Sequence, residues 1–236
     1  MKFKSSKQTA IVFFAQSSIE EVKHKKIANG ISLFSALTKK TLDTIYKSKL
    51  PFFHFTEQEQ VGNTFGERFT NAISSVYDLG YERVIAIGND TPQLTKHHLL
   101  KAAQEISENK TVLGLSLDGG FYLMGFHKAQ FNAHLFKNLS WQTNALKEQV
   151  FTWIKANKIN VLKLNALKDI DTEKDVFTIS SLYILRNSSF YILLLQFVQE
   201  TKNIFYYIQN IVISSTKSVF YNKGSPFLQL QHPFFN

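Results

Sequence analysis

Apolar residues fall into two rhythms along the first 176 positions of the chain. Short continuous runs recur: Thr9–Ala15 (TAIVFFA), Pro51–Phe55 (PFFHF), Val84–Ile87 (VIAI), Thr111–Leu115, Phe121–Phe126 and Asn160–Leu164. Runs of this length, bounded by Gly, Pro or polar clusters, read as strands covered on both faces. Between them lie longer stretches with helical spacing. Ile31–Tyr46 sets Leu33, Phe34, Leu37, Leu42 and Ile45 near the apolar period, and Phe65–Leu79 gathers Phe69, Ala72, Ile73 and Val76. His97–Glu108 follows Thr95, a capping residue type, and Ala145–Asn157 is the next helix. Gln16–Glu21 reads as a polar loop, and Asp169–Asp175 (DIDTEKD) as an acidic turn opening a helix.

Strands alternating with helices predict an α/β fold, a Rossmann-like three-layer sandwich with a mostly parallel sheet. Right-handed crossovers place the carboxyl ends of the strands along one edge, where open α/β sheets take their ligands. Residues 1–176 form this predicted domain. The pattern changes near Val176. Residues 177–236 hold a single acid, Glu200, and eight of the 22 Phe, and their apolar positions follow no single stripe. They read as a mainly helical extension that covers the domain's flank or makes a dimer contact, closed by an apolar tail at Lys223–Asn236.

Charge and composition narrow the chemistry. The net charge is +9, and residues 1–50 carry ten Lys against Glu20, Glu21 and Asp43. That excess suits a polyanion such as a nucleotide diphosphate, and equally a solvated lysine surface. No recognised nucleic-acid module accompanies it. Without Cys, disulfides and thiolate metal sites are excluded. The first apolar run is too short for a signal peptide, and Phe190–Val198 too short to span a bilayer. The expected setting is the cytoplasm.

Several residues could carry chemistry. Asp90 ends the Val84–Ile87 strand, after Gly88 and Asn89 and before Thr91-Pro92. A carboxylate there can take Mg²⁺ or Mn²⁺, or cap its own turn. Asp118-Gly119-Gly120 allows close approach of a ligand, although a plain hairpin also wants glycine. Asp169, Asp171 and Asp175 can be helix caps, with Asp169 or Asp171 as a second metal ligand. Lys23, Lys25 and Lys26 after the first strand, with His24 among them, and Arg68 in Gly62–Arg68 could hold phosphates. Trp141 offers a flat face for stacking on a sugar or base, or a core contact, and Thr143 could cap the next helix.

Taken in order, Gly66-Glu67-Arg68-Phe69, Ile87–Thr95 (IGNDTPQLT), Asp118–Gly125 (DGGFYLMG), Trp141-Gln142-Thr143 and Asp169–Asp175 resemble a bacterial family of nucleotide-diphospho-sugar transferase-like proteins. Its members are often labelled glycosyltransferases, some of them in arsenosugar biosynthesis. The resemblance implies a glycosyltransferase A fold that binds a nucleotide-sugar donor at the strand ends and transfers the sugar to a small-molecule acceptor. It implies that Asp90 and Asp171 hold a divalent cation, Mg²⁺ or Mn²⁺, and the donor diphosphate. Asp118-Gly119-Gly120 would border the sugar or acceptor. From the residues themselves, Asp118 is the candidate to orient or deprotonate the acceptor hydroxyl, and Asn89, Trp141, Arg68, Lys23, Lys25 and Lys26 are candidates to line the donor site. The chain departs from the family after the first strand. A Gly-containing basic loop ending in Lys-Thr-Arg-Leu is usual there, and Glu20–Ile27 (EEVKHKKI) stands in its place, with no Gly and no Arg. Two other readings are compatible with the same residues. One is a nucleotidyltransferase acting on a small phosphorylated acceptor, and the other a non-catalytic member that keeps the fold.

Overall fold

The computed structural model describes residues 7–25, 27–28, 30–181 and 190–199. A six-stranded sheet runs in the order β2-β1-β3-β5-β4-β6. Its strands are β1 (Lys7–Phe14), β2 (Phe52–Phe55), β3 (Tyr81–Ile87), β4 (Thr111–Ser116), β5 (Phe121–His127) and β6 (Val161–Leu167). Strands β1, β2 and β3 pair in parallel, as do β4 and β6. Only β5 runs against its neighbours, β3 and β4. The α/β class and the mostly parallel sheet are as the pattern predicts. The carboxyl ends of β1, β2, β3, β4 and β6 therefore meet one edge, and the β4–β5 turn, Leu117–Gly120, joins them there.

The helices are α1 (Ser18–His24), α2 (Gly30–Ser48), α3 (Phe65–Asp78), α4 (Lys96–Ser107), α5 (Ala133–Asn138), α6 (Leu146–Ala156) and α7 (Glu173–Ser180), with a 3-10 turn at Lys128–Gln130. Alternation along the central strands divides the core into two layers. Ala10, Val12, Val84, Ala86 and Met124 face one side, against Ile73 and Val76 of α3 and Val150 and Trp153 of α6. Ile11, Phe13, Ile85 and Ile87 face the other, against Ile45 of α2 and Leu99, Ala102 and Ile106 of α4. This is the three-layer sandwich.

Two short helices were absent from the sequence reading. The segment read as a polar loop and a basic run forms α1, and α5 was not expected. Neither announces itself by an apolar stripe, since α1 has no buried residue and α5 has only Phe136. A long-range contact holds the start of α1. Ser17 caps it, and its N–H and hydroxyl both donate to Glu57, at 2.7 Å each. These bonds hold the Glu57 carboxyl below its usual range, the Ser17 N–H being the largest cause. A depressed carboxyl contributes stability above its unfolded value and loses it as pH falls through the folded value. Glu57→Gln is therefore expected to cost about 1 kcal/mol near pH 7. The loss fades only as pH falls below the ordinary glutamate value of about 4.3 and through the lower folded value. Urea melts of both proteins at neutral pH and in strong acid check this.

Helix α6 begins at Leu146 after Ala145, and Thr143 donates instead to the Ser140 carbonyl. In α7 the cap is Thr172, which with Asp175 forms a capping box. By packing, residues 1–197 form one unit and 198–236 another. Residues 190–199 are helical, and Phe190, Leu194 and Phe197 on one face are buried. Most of the segment read as an extension, including the Lys223–Asn236 tail, lies outside the described residues. None of the described helices is long and apolar enough to cross a membrane.

Candidate functional site

A cleft of about 650 Å³ opens at the edge where the strands end. It reaches from Phe14–Gln16 after β1, across Gly88–Asp90 after β3, to Asp118–Gly120 and Asp169. Two loops are laced together at its floor. The Ile170 N–H donates to the Asp90 carbonyl at 2.9 Å, and the Lys168 N–H to Gln93 Oε1 at 3.0 Å. Thr91 Oγ1 donates to Asp169 at 2.5 Å. Parallel strands carry both loops to the same edge, which is how residues so far apart in the chain come to touch.

Lys25 is the centre of the charge. Its Nζ donates to Asp90 Oδ2 at 2.9 Å and to the Ile170 carbonyl at 3.0 Å, and it lies 3.0 Å from Asp171 Oδ1. Glu21 Oε2 is a fourth oxygen at 4.0 Å. The Lys25 side chain is only 15% exposed. Burial works against its charge, but Asp90, Asp171 and Glu21 outweigh burial and raise its pKa above the ordinary lysine range. Glu21 titrates above the usual carboxylate range because it is buried, and Asp90 and Asp171 add to the rise while Lys25 opposes it. Asp169 is also pushed up, by burial first and then by the negative charge of Asp90, with the Ser116 and Thr91 hydroxyls opposing.

The far wall of the cleft is apolar and aromatic. Phe65, Phe69 and Trp141 stack against one another, with Trp141 4.9 Å from Phe69 and 5.2 Å from Phe65 between ring centres. Trp141 Nε1–H donates to the Phe136 carbonyl at 2.6 Å, so the indole is fixed rather than free. Trp141 thus serves as a core contact and as a cleft wall together.

The cleft brings together Asp90, Asp118, Asn89, Gly119, Gly120, Lys25, Arg68 and Trp141, all expected from the sequence. Asp171 joins them through Lys25. Asn89 is buried and spends its amide on Thr38 Oγ1 at 3.0 Å. Arg68 is anchored to the Asn63 carbonyl by one Nη at 3.4 Å. Asp118 caps the hairpin turn between β4 and β5, taking the Gly120 N–H at 2.9 Å, and Gly119 has φ +101°. Lys23 is not in the cleft lining. It lies on the outer face of α1, 61% exposed, and pairs with Glu20 at 2.6 Å. Lys26 lies outside the described residues.

Some of the site was missed. Glu21 reads in sequence only as an acid that displaces a family glycine. Its spacing of four from Lys25 puts the two on one face if the segment is helical, and that was the available signal. Phe14, Gln60 and Phe65 also line the cleft, and nothing local in the sequence marks them.

Does the donor set suit a divalent cation? Asp90, Asp171 and the Ile170 carbonyl are hard oxygens that converge on one point, and the lysine ammonium shows that a cation is held there. Among the described residues no three His, Cys, Asp or Glu side chains form a metal nest by themselves. Two carboxylates completed by phosphate oxygens are the usual magnesium arrangement. The residues fit the ion, on condition that Lys25 moves.

A Rossmann-like sandwich with an acid-lined cleft at the strand ends defines the class, an α/β fold that takes its ligand at the carboxyl ends of the strands. Within it, the chain belongs to a bacterial family described as "Uncharacterized protein conserved in bacteria" (DUF2064), whose model matches residues 24–143. A solved candidate nucleotide-diphospho-sugar transferase from Desulfovibrio desulfuricans is similar in fold, with a TM-score of 0.72 and 22% identity, over 80% of this chain and 94% of that one. A 4-diphosphocytidyl-2C-methyl-D-erythritol synthase from Anaerococcus prevotii matches with a TM-score of 0.46 and 13% identity, over 72% of this chain and 95% of that one. No curated protein sequence matches the chain.

Proposed function

We propose that the protein is a nucleotide-dependent transferase, and more narrowly a glycosyltransferase that uses a nucleotide-diphosphate sugar. The observation that carries the reading is the cleft at the strand ends, lined by Asp90, the buried Lys25 ammonium, Arg68 and an aromatic wall, with Asp171 held on the same ammonium as Asp90. The acids and the cation make a diphosphate end, and Phe65 and Trp141 make an apolar end suited to the flat faces of a sugar or base. Arg68 is placed to meet phosphate with its remaining guanidinium N–H groups.

In this reading the acceptor hydroxyl attacks the anomeric carbon. A new carbon–oxygen bond forms, the bond to the diphosphate breaks, and the diphosphate leaves with both electrons. Asp118, exposed at the rim beside Gly119 and Gly120, takes the acceptor's proton. Asp90 and Asp171 would hold Mg²⁺ or Mn²⁺, which when bound neutralises charge on the leaving diphosphate. Asn89, pinned to Thr38, fixes the turn that aims Asp90.

The test is a product assay on the purified protein with a panel of nucleotide sugars and nucleoside triphosphates, with Mn²⁺ present. Release of a nucleoside diphosphate from a sugar donor is the expected result. Pyrophosphate release from a triphosphate would replace this reading with nucleotidyl transfer. No turnover of either kind, together with no nucleotide binding, would leave a non-catalytic member of the fold.

A further inference from the structure

The cation in the acid pair belongs to the chain itself, and this has a consequence for metal binding. Lys25 Nζ has three oxygens within 3.0 Å, Asp90 Oδ2, the Ile170 carbonyl and Asp171 Oδ1, for its three N–H groups. Lys25 is the residue that caps the carboxyl end of α1. Glu21, one turn earlier on the same face, adds a fourth oxygen, and its side chain is 12% exposed. The ring of Phe34 covers the ammonium at 5.7 Å. A divalent ion bound by Asp90 and Asp171 needs the point that Nζ fills, because both carboxylates turn toward that point.

From this geometry we propose that Lys25 and a divalent cation are mutually exclusive occupants of the Asp90–Asp171 pair, so the lysine must leave before a metal can enter. The inference rests on the reading that this pair is the cation site of the transferase. It also specifies what can open the site. A free metal ion must displace an ammonium held by Asp90, Asp171 and Glu21. A phosphate-bearing ligand offers that ammonium a new anion and so releases the acids. Phosphate and metal are then expected to enter together, and the metal alone poorly.

The measurement is Mn²⁺ binding followed by electron paramagnetic resonance, with no nucleotide present, on wild type, Lys25→Met and Lys25→Met/Asp171→Asn. Wild type is expected to show no site tighter than about 1 mM. Lys25→Met leaves three carboxylates without a counterion and is expected to bind Mn²⁺ at least tenfold tighter. The double variant should lose that gain. Lys25→Gln, which keeps a polar chain of similar reach, serves the same purpose should the Met variant fail to fold. Wild type binding Mn²⁺ as tightly as either single variant overturns the proposal. So does a folded single variant that gains nothing. The transfer assay is independent of these results, so failure here and failure of the transferase reading are told apart.

Discussion

Lys25→Met is expected to lower the melting temperature by roughly 5–15 °C in metal-free buffer at neutral pH. The substitution keeps an unbranched side chain, one atom shorter, and removes its charge. Glu21, Asp90 and Asp171 then face one another with no cation between them. Breaking a buried pair by removing one partner costs about 3–5 kcal/mol. Asp171 is 44% exposed, and water screens part of that repulsion, so about 2–4 kcal/mol is the better figure here. In a domain of this size each kcal/mol moves the midpoint by roughly 2–4 °C. Two checks separate this origin from lost packing. Added Asp171→Asn should recover part of the loss, and high salt should narrow the gap to wild type. A melting temperature within a degree of wild type would mean the ammonium does not carry the charge of the acids.

Gly66→Ala is expected to destabilise the protein by about 2–3 kcal/mol, against the sign of the usual helix effect. A Gly→Ala change inside an exposed helix normally gains close to 1 kcal/mol. Gly66 is the second residue of α3 and is buried. A methyl group there would lie 2.6 Å from the Lys137 carbonyl and 2.8 Å from Trp141 Cδ1. Neither can give way cheaply, because Lys137 is backbone of α5 and the indole is tied to Phe136 and wedged against Phe65 and Phe69. The strain therefore falls on the aromatic wall of the cleft. Trp141 is one of only two tryptophans, so its emission should shift as the melting temperature drops. An unchanged spectrum with unchanged stability would contradict this picture of the wall.

The sequence made the scaffold legible because its signals are local and strong. The run Val84–Ile87 followed by Gly88-Asn89-Asp90 announces a buried strand with a carboxylate at its end. The stripe Phe69, Ala72, Ile73, Val76 announces α3. Other features are set by contacts that no window of sequence contains. Helix α1 buries no apolar residue, and its start is held by Glu57, forty residues away. The antiparallel insertion of β5 between β3 and β4 is a topological choice, and the glycines of Asp118–Gly120 mark only the hairpin. In the site, the acids could be named singly but their meeting could not. Lys25 reads as one of a basic run suited to phosphate, and only the fold turns it onto Asp90 and Asp171 while leaving Lys23 in solvent on Glu20. The family resemblance names Asp90 and Asp171 together, and the fold sets both against the Lys25 ammonium. Glu20–Ile27, where the chain departs from the family, is the segment that places Glu21 and Lys25 in the cleft.

The measurement closest to the central claim is thermal stability against a panel of nucleoside diphosphate sugars, diphosphates and triphosphates, with and without Mn²⁺, on wild type and Asp90→Ala. A ligand at about 100 times its dissociation constant adds roughly 2.7 kcal/mol of stability. The account predicts a shift of several degrees with a nucleotide sugar, larger when Mn²⁺ is present and lost in Asp90→Ala. No shift with any nucleotide in the wild type, or an equal shift in Asp90→Ala, would contradict a diphosphate site at the Asp90–Asp171 pair.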